Sequence, residues 1–149
     1  MAGFEKLFGF MAALCCALFA GAALYVNLVE HPARMECGTE LAATEFPPSY
    51  RRATVSQVSL ALIGTLCGAL AWLWDRSPSW LIAAGLLLSV IPFTLFFMLP
   101  TNNQLVDTSL DRRSEKAHLL LIRWGRLHAV RTVVSLAALL LFLMLLAKR

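Results

Sequence analysis

Four long apolar stretches limit how this chain can fold. They cover residues 7–29, 55–74, 80–99 and 127–147, and each matches the roughly 20 apolar residues that one helix needs to cross a bilayer. Backbone polar groups surrounded by lipid must be bonded within their own segment, so such stretches fold as helices. The sequence therefore predicts an all-α fold, an integral membrane four-helix bundle that forms a single domain over residues 1–149.

Composition agrees with a membrane protein. Hydrophobic residues make up 59% of the chain and charged residues 15%, with a mean hydropathy of +0.71, outside the range of soluble domains. The first stretch is longer than the roughly 7–15 apolar residues of a secretory signal, so we expect it to be retained as a helix. The last helix is predicted to begin before the membrane, because residues 111–126 contain only Gly125 as a breaker.

Basic residues flanking the stretches indicate an orientation. A long first loop is expected near residues 30–54. This loop and the third loop carry most of the Lys and Arg residues, which favours a cytoplasmic location for both. We expect a bacterial inner membrane. The net charge of +4 is explained by these flanks and by anionic lipid headgroups, and it gives no indication of a nucleic-acid partner.

The cysteines give no indication of redox or zinc chemistry. Cys15, Cys16, Cys37 and Cys67 form no C-x-x-C pair and no spacing typical of a zinc site. This pattern argues against four-helix thiol oxidoreductases, which need a reactive cysteine pair.

The apolar stretches bring their polar residues to one end of the bundle. At the end of the first stretch, Asn27, Glu30, His31 and Arg34 fall within an arc of about 100° if the helix continues past Pro32. Proline disfavours helical geometry in the residue before it, so a break at His31 is an open alternative.

The second and third stretches add polar residues at the same end. A second helix that begins after residues 47–49 places Tyr50 and Gln57 on one face, and the third helix ends at Thr101 and Asn102. Both sets lie on the side of the longer loops.

The fourth stretch has the most compact polar face. Trp124, His128, Arg131 and Ser135 lie within an arc of about 60° on one helix. A charged side chain inside a membrane costs about 2.5–3.5 kcal/mol on insertion scales, so Arg131 is expected to face the bundle interior. One interpretation is an ion pair of Glu30 with Arg34 or Arg131 that holds helices 1 and 4 together. The other is a polar pocket between the helices.

Four segments carry a resemblance to a known family. They are EHPAR (30–34), SYRRA (49–53), PTNN (100–103) and WGRLHAVRT (124–132). Together they resemble the anthrone oxygenase-like family, small four-helix membrane proteins of which many have no known function. The resemblance spans nearly the whole chain, and the W-x-x-L-H-x-x-R run and the P-T-N triplet are its most specific parts.

The resemblance implies oxidation of an anthrone to an anthraquinone by molecular oxygen without a bound redox cofactor. In that chemistry His128 is the expected base, since an imidazole pKa of about 6.5 suits proton removal near neutral pH, and Arg131 is expected to hold the enolate oxygen. Trp124 and Tyr50 are expected to stack on a flat substrate, and Asn102 to orient its carbonyl. Glu30 or His31 completes the predicted catalytic set, and the other predicted substrate-binding residues are Asn27, Arg34, Gln57 and Thr101.

Other functions stay open at this level. The same pocket suits a protein that binds a quinone or another flat, lipid-soluble molecule without turnover. An accessory subunit is a third hypothesis, in which Gly64, Gly68 and Gly85 mediate helix contacts. Glu30, His31 and His128 have the composition of an iron facial triad. No sequence spacing supports such a site, so we predict no metal or haem. The expected partners are a hydrophobic aromatic molecule and membrane lipids, with a homo-oligomer as a further option.

Overall fold

The computed structural model describes residues 2–148, except for the side chains of residues 2 and 5, and this part of the chain is all-helical. The helices are α1 (Ala2–Tyr25), α2 (His31–Glu36), α3 (Thr39–Asp75), α4 (Pro78–Phe93), α5 (Leu99–Val106) and α6 (Glu115–Ala147). Two π-helical turns, Val26–Glu30 and Thr94–Met98, join α1 to α2 and α4 to α5.

Four helical segments are long and apolar enough to cross a membrane. The spans are Lys6–Glu36, Thr39–Asp75, Pro78–Val106 and Glu115–Ala147. The first span packs against the second and the fourth, and α4 packs against the same two helices, so the first and third spans lie diagonally across the bundle. The predicted fold class, an all-α membrane four-helix bundle, is confirmed.

Two prolines explain the π-helical turns. In each case the turn is followed by one residue and then a proline, Pro32 in the first span and Pro100 in the third. Proline has no N–H and crowds the carbonyl four residues before it. The helix widens instead of ending: the N–H of His31 donates to the carbonyl of Val26, and that of Leu99 to the carbonyl of Thr94. The break considered at His31 therefore does not occur.

The expectation of a long first loop is wrong. α2 ends at Glu36, Gly38 turns the chain with φ 94°, and α3 begins at Thr39 and runs through Pro47 and Pro48. Both prolines lie before the apolar stretch at residues 55–74. Of the two carbonyls that lose an N–H partner, that of Thr44 belongs to an exposed residue and that of Ala43 to a buried one. The second helix thus begins well before the residue predicted for it.

The third connection, residues 107–114, is tied to the start of α3. The guanidinium of Arg113 donates to the carboxylate of Glu40 at 2.8 and 2.9 Å, and Oγ1 of Thr39 lies 3.3 Å from Nδ1 of His118. α6 begins at Glu115, with the Ser114 hydroxyl accepting from the N–H of Ala117. These contacts define the loop-side end of the bundle, the end that holds the Gly38 turn and residues 107–114.

Two hydrophobic cores fill the bundle. The larger one includes Phe19, Trp80 and Phe142, and the smaller one, toward the loop-side end, includes Phe46 and Met98. Between these cores the helices leave a cavity, which holds the candidate site.

Two glycines of α3 allow close packing of helices. A Cβ at Gly64 would meet Leu87 at 2.8 Å, and one at Gly68 would meet Ala84 and Phe142 at 3.1 Å. A Cβ at Gly85 would meet no atom within 4 Å among the described residues, so this glycine contacts no neighbouring helix.

Gly68→Leu is expected to destabilise the folded bundle by about 1–3 kcal/mol, the usual cost of overpacking. Gly85→Leu makes the same change on an open surface and should leave stability nearly unchanged. Unfolding of both variants in detergent, followed by circular dichroism, measures the difference. Equal stability of the two variants would contradict this packing.

Candidate functional site

A cavity of about 140 Å³ lies in the loop-side half of the bundle, and all four spans contribute to its wall. Most of its surface is apolar and aromatic. The sequence-predicted residues that line it are Glu30, Arg34, Tyr50, Gln57, Asn102, Trp124, His128 and Arg131. The cavity thus gathers most, but not all, of the predicted site. The other three, Asn27, His31 and Thr101, pack behind the wall or beside it.

His128 is held on its Nδ1 side. The residue is 2% exposed, and its Nδ1 lies 2.5 Å from the side-chain amide of Asn27, which also contacts Oγ1 of Thr132 at 2.8 Å. With its oxygen toward the ring, the amide accepts a hydrogen bond from the Nδ1–H group. With its nitrogen there, it donates to Nδ1 and lies 3.2 Å from the carbonyl of Ala23. Either arrangement leaves Nε2 as the ring nitrogen available to a ligand.

Arg131 has no carboxylate partner among the residues that the structure describes. One of its Nη groups donates to Oε1 of Gln57 at 2.6 Å, and the guanidinium lies 5.4 Å from the centre of the Phe19 ring. Its Nε is buried without a hydrogen-bond partner. A partly buried cation beside a cavity, with an unpaired Nε–H, favours an anionic or strongly polarised oxygen there.

Two further residues of the wall have unused polar atoms. Asn102 is 1% exposed, and neither atom of its amide has a hydrogen-bond partner. The indole N–H of Trp124 is also buried and unpaired. Oγ1 of Thr101 is equally unpaired, but Thr101 is not part of the cavity wall. Because unsatisfied buried groups cost about 1–3 kcal/mol each, Asn102 and Trp124 indicate a place for a polar ligand atom.

An ion-pair network covers the loop-side end of the cavity. Arg34 bonds to Glu30 within the first span and lies 3.1 Å from Glu45 of α3. The Ser49 hydroxyl donates to Glu30 at 3.4 Å. The ion pair considered between helices 1 and 4 is therefore absent in the described chain: Arg34 links the first span to α3, and Arg131 bonds to Gln57.

His31 lies behind the wall rather than in it. Its ring packs against Trp124, with 5.2 Å between ring centres, and occupies the space above Gly125. Trp124 in turn stacks on His128 at 4.7 Å. The glycine in the W-G-R-L-H run thus provides room for an imidazole from the first span, which makes His31 a support for Trp124.

Gly125→Ala is expected to displace His31, because the added Cβ would lie 2.5 Å from its Nε2. We expect a loss of about 1–3 kcal/mol of stability. In a His31→Ala background the same change should cost much less, since the competing ring is absent. A thermal-unfolding double-mutant cycle measures this coupling, and additive losses would contradict the packing.

Aromatic residues that the sequence patterns did not single out complete the wall. Phe46 stacks on Tyr50 with 5.7 Å between ring centres and meets Trp124 edge-on at 5.3 Å. The spacing of four between Phe46 and Tyr50 on one helix was the available signal. It was missed because residue 46 was assigned to a loop.

Within the described residues, no group of three or more His, Cys, Asp or Glu side chains is placed to hold a metal ion. Glu30, His31 and His128 do not converge as a facial triad needs, since His31 packs above Gly125 outside the cavity wall.

Comparison with known proteins identifies the family. The family model described as anthrone oxygenase matches residues 46–141. The chain belongs to the anthrone oxygenase family. The matched region holds the residues of the cavity wall from α3, the third span and α6, whereas Glu30 and Arg34 lie outside it.

Curated relatives are also anthrone oxygenases. An anthrone oxygenase of Claviceps purpurea is 27% identical over 150 aligned positions, covering 91% of this chain and 86% of the relative. Anthrone oxygenase tpcL of Aspergillus fumigatus is 39% identical over 38% of this chain and 37% of its own length. Anthrone oxygenase AgnL2 of Paecilomyces divaricatus is 38% identical over 41% of this chain and 44% of its own. These relatives are fungal and give no support to a bacterial inner membrane. No solved structure matches the chain.

Proposed function

We propose that this protein oxidises a flat, anthrone-type substrate to the corresponding anthraquinone with molecular oxygen. The observation that carries the proposal is that three residues of a mostly apolar cavity wall, Asn102, Trp124 and Arg131, have polar atoms without hydrogen-bond partners. A polycyclic ketone has complementary chemistry, with flat apolar faces and a carbonyl oxygen at the edge. Membership of the anthrone oxygenase family supports this class of reaction.

The first step is removal of a proton from the methylene carbon opposite the carbonyl. This proton is acidic because its loss gives an aromatic enolate. Nε2 of His128 takes the proton, and the resulting imidazolium donates a hydrogen bond from Nδ1–H to Asn27 when the amide oxygen is directed toward the ring. General-base assistance of this kind is worth about 10²–10⁴-fold in rate.

Arg131 stabilises the negative charge that appears on the substrate oxygen. Its guanidinium has an unpaired Nε and no competing carboxylate among the described residues. A fixed cation in a site of low polarity stabilises an enolate more strongly than water does. Asn102 donates to the same oxygen or to a neighbouring substituent, and the aromatic rings of Tyr50 and Trp124 stack on the faces of the substrate.

The enolate then reacts with oxygen without a redox cofactor. It passes one electron to O₂, and the resulting radical and superoxide combine at the former methylene carbon to give a hydroperoxide once a proton is returned. Loss of the second C–H proton breaks the O–O bond and releases water. The sum is anthrone plus O₂ to anthraquinone plus water, with O₂ reduced and the carbon oxidised, so no metal, haem or other co-reactant enters.

The partners are the aromatic substrate and membrane lipid, and the loop-side end is proposed to face the cytoplasm.

The test is conversion of 1,8-dihydroxyanthrone by the purified, full-length protein in liposomes. Product absorbance and oxygen uptake are recorded together, and empty liposomes give the spontaneous rate. Uptake of one O₂ per quinone, faster than in empty liposomes and unchanged by chelators, is expected. Asn102→Leu keeps the side-chain size and should raise KM by removing the carbonyl contact.

A rate equal to that of empty liposomes, together with tight binding of the quinone, would replace oxygenation by ligand binding without turnover. One feature favours this second function. With the Asn27 nitrogen toward Nδ1, His128 presents an N–H at Nε2 and binds a carbonyl instead of acting as a base.

A further inference from the structure

Different structures lie at the two ends of the cavity along the axis of the bundle. Toward the loops, Arg34 with its two glutamates covers it. Toward the other end, Phe19 and Val90 belong to the larger hydrophobic core and form the floor. A substrate that follows the axis of the bundle meets a salt-bridge network on one side and close packing on the other.

One lateral side of the cavity is different. Val58 of α3 and Leu95 of the third span belong to the cavity wall, yet the two residues are 40% and 54% exposed. Thr54 is also exposed and lines the cavity. A residue that faces both the cavity and the exterior lies on the rim of an opening, which places this opening between α3 and the third span.

Local structure explains why these two spans part here. α3 packs closely against α4, which follows the tight connection at residues 76–77. Its contact with α5, at the loop-side end, is less extensive. Leu95 lies in the π-helical turn Thr94–Met98, which precedes Pro100 and widens the helix at the level of the cavity. Wide turns of this type often occur at functional sites.

The opening lies inside the apolar part of the bundle. Val58 follows the start of the apolar stretch at residue 55 by roughly 5 Å along the helix, and Leu95 precedes the end of its stretch at residue 99 by about 6 Å, at about 1.5 Å per residue. Acyl chains near the headgroups, rather than water, surround this depth.

We propose that this opening, called the lateral portal and formed by Thr54, Val58, Ile91 and Leu95, admits the substrate directly from the bilayer. This inference rests on the proposed function for the identity of the ligand. It selects a substrate class: flat, uncharged aromatic molecules that partition into the membrane near the headgroups. Conjugates with a sugar or sulfate are excluded, because their polar groups would have to cross the acyl-chain region.

The experiment measures ligand exchange rather than turnover. Wild-type protein and Val58→Trp, both in phosphatidylcholine liposomes, are mixed with 1,8-dihydroxyanthraquinone, and its own absorbance reports association and dissociation. A narrowed portal slows entry and exit by similar factors, on the order of tenfold, and so preserves affinity. Val55→Trp is the matched control, since Val55 is 71% exposed on the same helix but does not line the cavity.

Leu95→Trp narrows the portal from the opposite side and should act like Val58→Trp. An association rate equal to the wild-type value in both variants would overturn the portal. Affinity lost through faster dissociation would overturn it as well, since these residues would then only hold the ligand.

If wild-type protein neither binds the quinone nor oxidises the anthrone, the proposed function fails. Whenever the quinone does not bind, lipid alone decides whether the portal exists. The fluorescence of buried Trp124 is the component that is lost in Trp124→Phe. Brominated phosphatidylcholine should quench this component, because acyl chains reach the cavity through an open portal. No quenching of this component would overturn the proposal.

Discussion

His128→Ala is expected to lower kcat for anthrone oxidation by about 10²–10⁴-fold, the usual contribution of a positioned general base. The binding of the anthraquinone product should change little, because the aromatic wall and Arg131 remain. The variant removes the only cavity-lining imidazole among the described residues. Product formation in liposomes measures kcat, and equilibrium absorbance measures product affinity.

His118→Ala is the matched control. His118 lies beside Thr39 at the loop-side end and is not part of the cavity wall, so its loss should leave kcat unchanged. Asn27→Asp retains an oxygen acceptor at Nδ1 and should remain active, whereas Asn27→Leu removes that acceptor and should be slow. Full activity of His128→Ala would remove His128 from the chemistry.

Arg131→Gln is expected to lower kcat by about 10²–10³-fold, comparable to the loss of one oxyanion-stabilising donor, or roughly 2.7–4 kcal/mol of transition-state stabilisation. The charge on the substrate oxygen is larger in the enolate than in the bound ketone. The loss should therefore fall on kcat more than on KM. Steady-state kinetics with the anthrone separate the two parameters.

Arg126→Gln makes the same change on an exposed face of α6 and should have no effect on kcat. Arg131→Lys keeps a charge but loses the planar set of donors, and intermediate activity is expected. If Arg131→Gln raised KM alone, the arginine would bind the ketone and the enolate equally. The proposed stabilisation of the enolate would then be wrong.

Hydropathy alone was sufficient to predict the bundle. Apolar stretches of this length have few solutions in a bilayer, so the four spans follow from residue counts. The ends of the helices did not follow. A break at Pro32 was an open alternative, and the second helix was expected to begin only after residues 47–49. The chain instead continues as helix at both places, with a π-helical turn before Pro32.

The candidate site was predictable where its residues share one helix. Trp124, His128 and Arg131 were grouped by spacing on α6, and all three line the cavity. Contacts between helices were not predictable. The pairing of Arg131 with Gln57 and the packing of His31 over Gly125 depend on the rotation of each helix in the bundle, which periodicity does not fix.

Proton removal can be measured apart from oxygen chemistry. Under argon in D₂O, liposomes with the wild-type protein should exchange the methylene hydrogens of 1,8-dihydroxyanthrone for deuterium, and mass spectrometry follows the exchange. We expect wild-type exchange to be faster than in liposomes that are empty or contain His128→Ala. Equal exchange in all three, from a preparation that still oxidises the anthrone in air, would contradict base abstraction by this protein.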